Sequence, residues 1–292
     1  MNAFTIKDIE NLSGIKAHTI RIWEQRYSFL KAQRTETNIR YYDSKQLGAI
    51  LNIALLNKYG FKISRINKMS EEEIREKILL LTQGQAYEDR IVYDLISKMT
   101  DIDLIGFEQV LDEYILQKGI EKTILQIIFP FLERIGILWQ TNHINPAQEH
   151  FVTNIIRQKL IVGIDKVKSN IESHKSVLLF LPSGEHHELG LLFVHYLLKS
   201  RGVQALYIGA DIPFKDVETV AKLKQPNYIY THLTSVSNSF NLSKFISVFC
   251  EKLPGYTMVV SGLITQSFKA KTPENIFLKQ TLSEVMDFVH TI

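Results

Sequence analysis

Eight consecutive residues, Ser183-Gly184-Glu185-His186-His187-Glu188-Leu189-Gly190, bring together two imidazoles, two carboxylates and two glycines. Imidazole is the commonest protein ligand for a metal centre, and a neighbouring carboxylate fixes its tautomer and raises its basicity. The spacing Glu185-x-His187-x-x-Gly190 suits that chemistry, and it equally suits a polar loop that happens to carry histidines. A second group lies upstream, where Trp139 is followed after nine residues by Glu149-His150. Residue type alone makes Trp139 a core or lid aromatic and His150 a surface residue. A third group is cationic. Residues 1–68 hold 12 Lys/Arg against 5 Asp/Glu, a balance of +7, while the whole chain carries only +3. A basic head on a slightly acidic body points to a polyanionic partner for the head.

The elements that position these groups follow from pattern. Val177–Leu181 reads as a buried parallel strand and Leu189–Lys199 as the helix after it, so the octet is a strand-to-helix loop. In open α/β sheets, ligands sit in such loops at the carboxyl ends of strands. Strands are expected at Ser176–Leu181, Gln204–Ile208, Tyr228–His232, Met258–Val260 and Ile276–Leu278. Helices alternate with them at Leu189–Ser200, Phe214–Lys224, Leu242–Lys252 and Thr281–His290, which predicts a doubly wound parallel sheet over 175–292. No Gly-x-Gly-x-x-Gly or phosphate-cradling Gly-Lys motif favours a nucleotide site.

Upstream, four amphipathic segments, roughly 86–99, 103–117, 121–138 and 146–171, predict a four-helix bundle over 86–172. Pro130 should kink the third, and Asn145-Pro146 should start the fourth. In the head, Thr5-Ile6-Lys7-Asp8 has the form of a helix start, and Ser13-Gly14 breaks that helix. A second helix over about 16–26 carries Lys16, His18, Thr19, Arg21, Gln25 and Arg26 on one side, with Ile20, Trp23 and Tyr27 on the other. Two short helices across a glycine turn, the second cationic, describe a helix-turn-helix. A short hairpin is expected over 30–42, with Arg34 and Arg40 on a wing suited to phosphate. A third helix should run from Asp43 to about Tyr59, a fourth from Phe61 to Met69, and a short helix from Ser70 towards Gly84, with a linker at 82–86.

Ile20-Arg21-Ile22-Trp23-Glu24-Gln25-Arg26-Tyr27 and Asn38-Ile39-Arg40-Tyr41-Tyr42 closely resemble the winged-helix domain of MerR-type transcription regulators. The resemblance implies DNA contacts from Thr19, Arg21, Arg26, Tyr27, Arg34, Arg40 and Tyr41, with Trp23 and Tyr42 in the core. The bundle and sheet together resemble the cobalamin-binding module, a helical cap followed by a flavodoxin-like domain. Trp139 with Glu149-His150 resembles the cap of the CarH/LitR-like photoreceptor family. The whole is thus expected to be a multidomain α+β chain: a head at 1–72, a cap at 86–172 and an α/β domain at 175–292.

That resemblance implies cobalamin, in its adenosyl form, with Glu185, His187 and Gly190 below the cobalt and Trp139, Glu149 and His150 near its upper face. His187 would be the lower ligand, and His150 an upper ligand once light removes the adenosyl group. The family has a serine element after the third strand, near the ligand's nucleotide tail. Here either His232 stands in the serine's place or Ser235 serves by a shifted register. The family's Gly-Gly after the fourth strand appears as Ser261-Gly262, which could crowd that tail.

The function implied is a DNA-binding regulator, a repressor acting on double-stranded operator DNA as a dimer or tetramer, controlled by cobalamin and by light. A MerR-type regulator whose degenerate cobalamin domain senses another ligand or a protein partner is the alternative. A corrinoid methyl carrier is a third reading, which the basic head disfavours; the chain is expected not to be an enzyme. Cys250 is the one cysteine, so no internal disulfide forms. No run of about 18 apolar residues or signal peptide is present, and a cytoplasmic location without membrane contact is expected.

Overall fold

Thr5 opens the first helix of the chain with a reciprocal cap, its hydroxyl accepting from the Asp8 N–H while the Asp8 carboxylate accepts from the Thr5 N–H. The computed structural model describes residues 3–27, 29–140, 145–169, 173–234 and 240–292, with the side chains of 137–140 outside the description. The chain divides into two compact units, residues 1–155 and 156–292, and the division falls within one long helix.

In the first unit, α1 (Ile6–Ser13) and α2 (Ala17–Arg26) flank a turn at Gly14, whose φ of 75° is a left-handed conformation natural to glycine. β1 (Gln33–Arg34) and β2 (Arg40–Tyr41) form the antiparallel wing, and α3 (Ser44–Lys58) follows with a capping box between Asp43 and Gln46. The expected fourth helix is a single turn, α4 (Ile63–Ile66), and α5 (Glu71–Leu79) stops five residues short of Gly84. Gly84 instead begins α6 (Gly84–Thr100), so the linker is 80–83. α7 (Leu104–Lys118) and α8 (Ile120–Thr123) lead into a π-helical turn at Ile124–Ile128 and then α9 (Phe129–Gln140).

That turn is how the helix absorbs Pro130. Proline has no N–H and its ring crowds the carbonyl four residues back. Just before it, the Phe129 N–H reaches the Ile124 carbonyl, five residues back instead of four. α10 (Pro146–Lys166) ends five residues before the expected Ile171. Its first turn is fixed to the end of α6 by buried Gln148, whose amide donates to the Met99 and Thr100 carbonyls at 3.2 and 3.1 Å.

The second unit holds the end of α10 and a five-stranded parallel sheet: β3 (Ser176–Pro182), β4 (Gln204–Ile212), β5 (Tyr228–His232), β6 (Met258–Ser261) and β7 (Ile276–Lys279). The helices are α11 (Leu189–Ser200), α12 (Phe214–Lys224), α13 (Leu242–Lys252), α14 (Leu263–Ser267) and α15 (Leu282–Thr291). The spatial order β4-β3-β5-β6-β7 is the flavodoxin-like arrangement, whose switch point lies between β3 and β5. Side chains alternate between faces. Leu178, Phe180, Ile229, Met258 and Val260 meet α12 and α13, through Val217, Ala221, Ile246 and Phe249. Tyr230 faces the other way and stacks on Phe288 of α15 at 6.0 Å.

Candidate functional site

The octet leaves β3 at the switch point and is held by backbone geometry before any ligand is considered. Gly184 (φ 86°) makes a turn that L-residues resist, and its N–H donates to the Asp211 carboxylate at 2.8 Å. The Asp211 N–H in turn donates to the Glu185 carbonyl at 3.2 Å. Glu185 is fully buried. Its Oε1 meets His187 Nδ1 at 2.7 Å and accepts from the His187 N–H at 3.0 Å, while Oε2 accepts from the Thr234 N–H at 2.8 Å. A carboxylate on Nδ1 holds the proton there and puts the lone pair on Nε2. The His187 side chain is 47% exposed, so a half-exposed imidazole is held by a fully buried carboxylate. Glu188 braces the same loop, accepting from Tyr207 Oη and pairing with Arg157 of α10, both at 2.6 Å. Burial and that hydrogen bond push the Tyr207 phenol far above its ordinary range.

His232 of β5 packs over Gly190 at the end of this loop, while Ser261 ends β6 and Gly262 follows it. β5 and β6 register His232 beside Ser261, and His232 Nδ1 lies 2.7 Å from Ser261 Oγ, which also meets Tyr230 Oη at 2.6 Å. Burial holds the His232 imidazole neutral, its pKa pushed down to about 4 despite the nearby Glu185. Ser261 is buried and spends its hydroxyl inside the sheet. A Cβ on Gly262 would overlap the Leu233 carbonyl, so that glycine serves the approach of β5 and β6. Ser235 lies outside the described residues. Among the described residues no group of three or more His, Cys, Asp or Glu would hold a bare metal ion.

Of the upstream group, His150 sits in the first turns of α10, its side chain 73% exposed and its Nδ1 3.2 Å from the Glu149 carboxylate. The Trp139 side chain lies outside the described residues.

In the head, Arg21 and Arg26 are exposed on α2, with Thr19 and Tyr27 half-buried beside them. Tyr27 stacks on Phe29 at 5.6 Å, and Trp23 and Tyr42 are buried. Arg34 and Arg40 are cross-strand partners but differ in use. Arg34 reaches the Asn38 side chain at the wing tip at 2.6 Å. Arg40 pairs with Glu24 of α2 at 2.9 Å, and the other Glu24 oxygen accepts from the Ala32 N–H at 2.9 Å. Arg40 thus fixes the wing against α2. Tyr41 is half-buried on the same strand.

One set of residues escaped sequence reasoning. Asp89 of α6 is 6% exposed. It pairs with Lys58, accepts from Tyr59 Oη at 2.9 Å and faces the Arg134 guanidinium at 3.8 Å. Arg134 also lies over the Tyr93 ring at 4.5 Å, and Tyr93 Oη donates to the Ser13 carbonyl at 3.2 Å. These contacts join the winged helix to α6 and α9. The available signal was an acid on the apolar side of an amphipathic helix, beside Val92 and Tyr93.

The family model described as MerR HTH family regulatory protein matches residues 4–73, and the model described as B12 binding domain matches residues 93–162. The chain is a MerR-type regulator with a cobalamin-binding module. It joins DNA-binding transcription regulation to control by cobalamin. It is similar to the HTH-type transcriptional repressors CarA and CarH of Myxococcus xanthus. With CarA it is 28% identical, over 88% of this chain and 86% of that one; with CarH, 23% identical over 91% of each. The Methanosarcina barkeri monomethylamine corrinoid protein structure aligns with TM-score 0.49 at 13% identity, covering 75% of this chain and all of that one. The Glu185–His187 pair lies outside the residues matched by either family model. The recess over Gly190 is filled by the His232 ring. No helix among the described residues is long and apolar enough to cross a membrane.

Proposed function

We propose that this MerR-type regulator is a repressor whose hold on operator DNA is set by adenosylcobalamin and released by light. The observation that carries the cofactor assignment is the buried Glu185 carboxylate on His187 Nδ1, 2.7 Å away, behind a solvent-facing ring. Bound cobalamin would supply a cobalt that exchanges ligands and, in the adenosyl form, a photolabile bond. The chain's residues do the rest. Glu185 would keep the proton on Nδ1 and leave Nε2 to hold the cobalt of a bound corrinoid. Glu188, held by Arg157 and Tyr207, keeps the loop on the sheet. His150, exposed beside Glu149, would be the second imidazole available to the cobalt after illumination, and Trp139 would flank the adenosyl group.

Arg21 and Arg26 on α2 and Arg34 on the wing contact operator phosphates and base edges, aided by Thr19, Tyr27 and Tyr41. Arg40 sets the angle between α2 and wing. Heads joined in a dimer or tetramer gain affinity through effective concentration, so an oligomer that changes with the cofactor changes repression. The cofactor acts only through different affinities for the two assemblies. The test is the visible spectrum and oligomer size of the purified chain with adenosylcobalamin, in the dark and after illumination. A protein-bound spectrum that shifts with light, accompanied by a change in size, is expected. A bound cofactor with no change in either would refute the light control.

A further inference from the structure

Gly190 lies in the first turn of α11 without the positive φ that would require glycine. What requires it is a ring. A Cβ at this position would overlap the His232 imidazole at Cδ2, Nε2 and Cε1. The ring lies against bare backbone on one side and is held by Ser261 Oγ at Nδ1, 2.7 Å away. Tyr230 Oη, 2.6 Å from the same Oγ, fixes that hydroxyl. Two residues beyond His232, the Thr234 N–H binds the carboxylate that positions His187. The His232 ring thus fills the space over Gly190, with the Ser261 hydroxyl at its wall, and the strand end that carries it is tied to the Glu185–His187 loop through Thr234.

We propose that His232 sets which corrinoids the site accepts, by occupying the slot that a lower-tail aromatic base would need. The inference rests on the cobalamin reading above. A corrinoid ending in a bulky base must displace the His232 ring and break its bond to Ser261. A corrinoid without such a base leaves both in place. Because burial keeps the ring neutral, it would leave as an uncharged imidazole near pH 7.

The experiment is equilibrium binding of adenosylcobalamin and of adenosylcobinamide, the same corrin without the nucleotide tail, to the full-length chain in the dark, read by visible absorbance. Wild type and His232→Ser are compared, with His232→Ala as the second variant should the serine protein melt early. Opening the slot should tighten adenosylcobalamin about tenfold, the equivalent of one neutral hydrogen bond no longer broken on binding. It should leave adenosylcobinamide unchanged. Equal shifts for both ligands, or no shift for adenosylcobalamin, would overturn the assignment while leaving cobalamin binding intact. Failure of both corrinoids to bind both proteins would overturn the cobalamin reading and this inference with it.

Discussion

Asp89→Ala should loosen the winged helix from α6 without touching a DNA-facing or cofactor-facing residue. The carboxylate is buried and serves Lys58, Tyr59 and Arg134 at once. Removing one partner of a fully buried ion pair costs roughly 3–5 kcal/mol. Lys58 is half exposed and can turn to water, which lowers that figure. The Tyr59 hydroxyl loses its acceptor, and a hydrogen bond to a charged group contributes roughly 1.5–3 kcal/mol. A loss of about 2–3 kcal/mol is therefore expected, and at about 2–4 °C per kcal/mol for a unit of this size the melting temperature should fall by roughly 5–10 °C. Calorimetry measures the fall, and hydrogen exchange in α1 and α3 should rise with it. A fall under about 2 °C, with exchange unchanged, would refute a structural role for the cluster. The pH dependence has a fixed sign. Burial alone would raise the Asp89 pKa, but the Lys58 and Tyr59 hydrogen bonds and the Lys58 and Arg134 charges hold it below the ordinary aspartate value. Its contribution is therefore complete above the unfolded value near pH 4 and lost as acid protonates the folded carboxylate.

Glu185→Ala should weaken corrinoid binding about 10- to 100-fold, the usual effect of removing a group behind a metal-bound histidine, measured by titration in visible light; unchanged affinity would remove Glu185 from the site. Arg21→Ala should cost about 1–3 kcal/mol of operator affinity and leave any cofactor spectrum as it is, in a gel-shift and absorbance pair of assays. Glu24→Ala should also lower DNA affinity, although Glu24 is an acid whose removal adds net positive charge, because Arg40 and the Ala32 N–H lose their anchor; tighter DNA binding would contradict that role. His232 is neutral in the fold with a pKa near 4, below the ordinary histidine value, so its environment stabilises the fold fully above about pH 6.5 and loses about 3 kcal/mol as pH falls towards 4. His232→Ser should flatten the acid limb of the melting temperature over that interval.

The architecture was legible where pattern is strong. β3 is buried on both faces and reads as an apolar run, and Pro146 begins α10 as its sequence implies. The capping boxes at Thr5, Asp43 and Ser70 mark the helix starts in the head. The π turn was not legible, because proline announces a disturbance in a helix but not how the backbone resolves it. The Glu185–His187 pairing followed from spacing. The use of His232 did not, although its parity with Tyr230 on β5 places both on the α11 face, where a flat ring can reach only a glycine. The Arg40–Glu24 pair was not legible, because Glu24 lies sixteen residues away in sequence and only the fold brings them together. The Asp89 cluster escaped for the same reason, since its partners Lys58, Tyr59 and Arg134 come from two other helices.

The most direct test of cobalamin-controlled DNA binding is the affinity of the full-length chain for a duplex selected from a random pool, measured in the dark with and without adenosylcobalamin. A change of about tenfold or more on adding the cofactor, abolished by His187→Ala, is the expected result; it corresponds to a coupling of roughly 1.4 kcal/mol between the two sites. The same affinity with and without the cofactor, at concentrations where the visible spectrum shows it bound, would contradict the central claim.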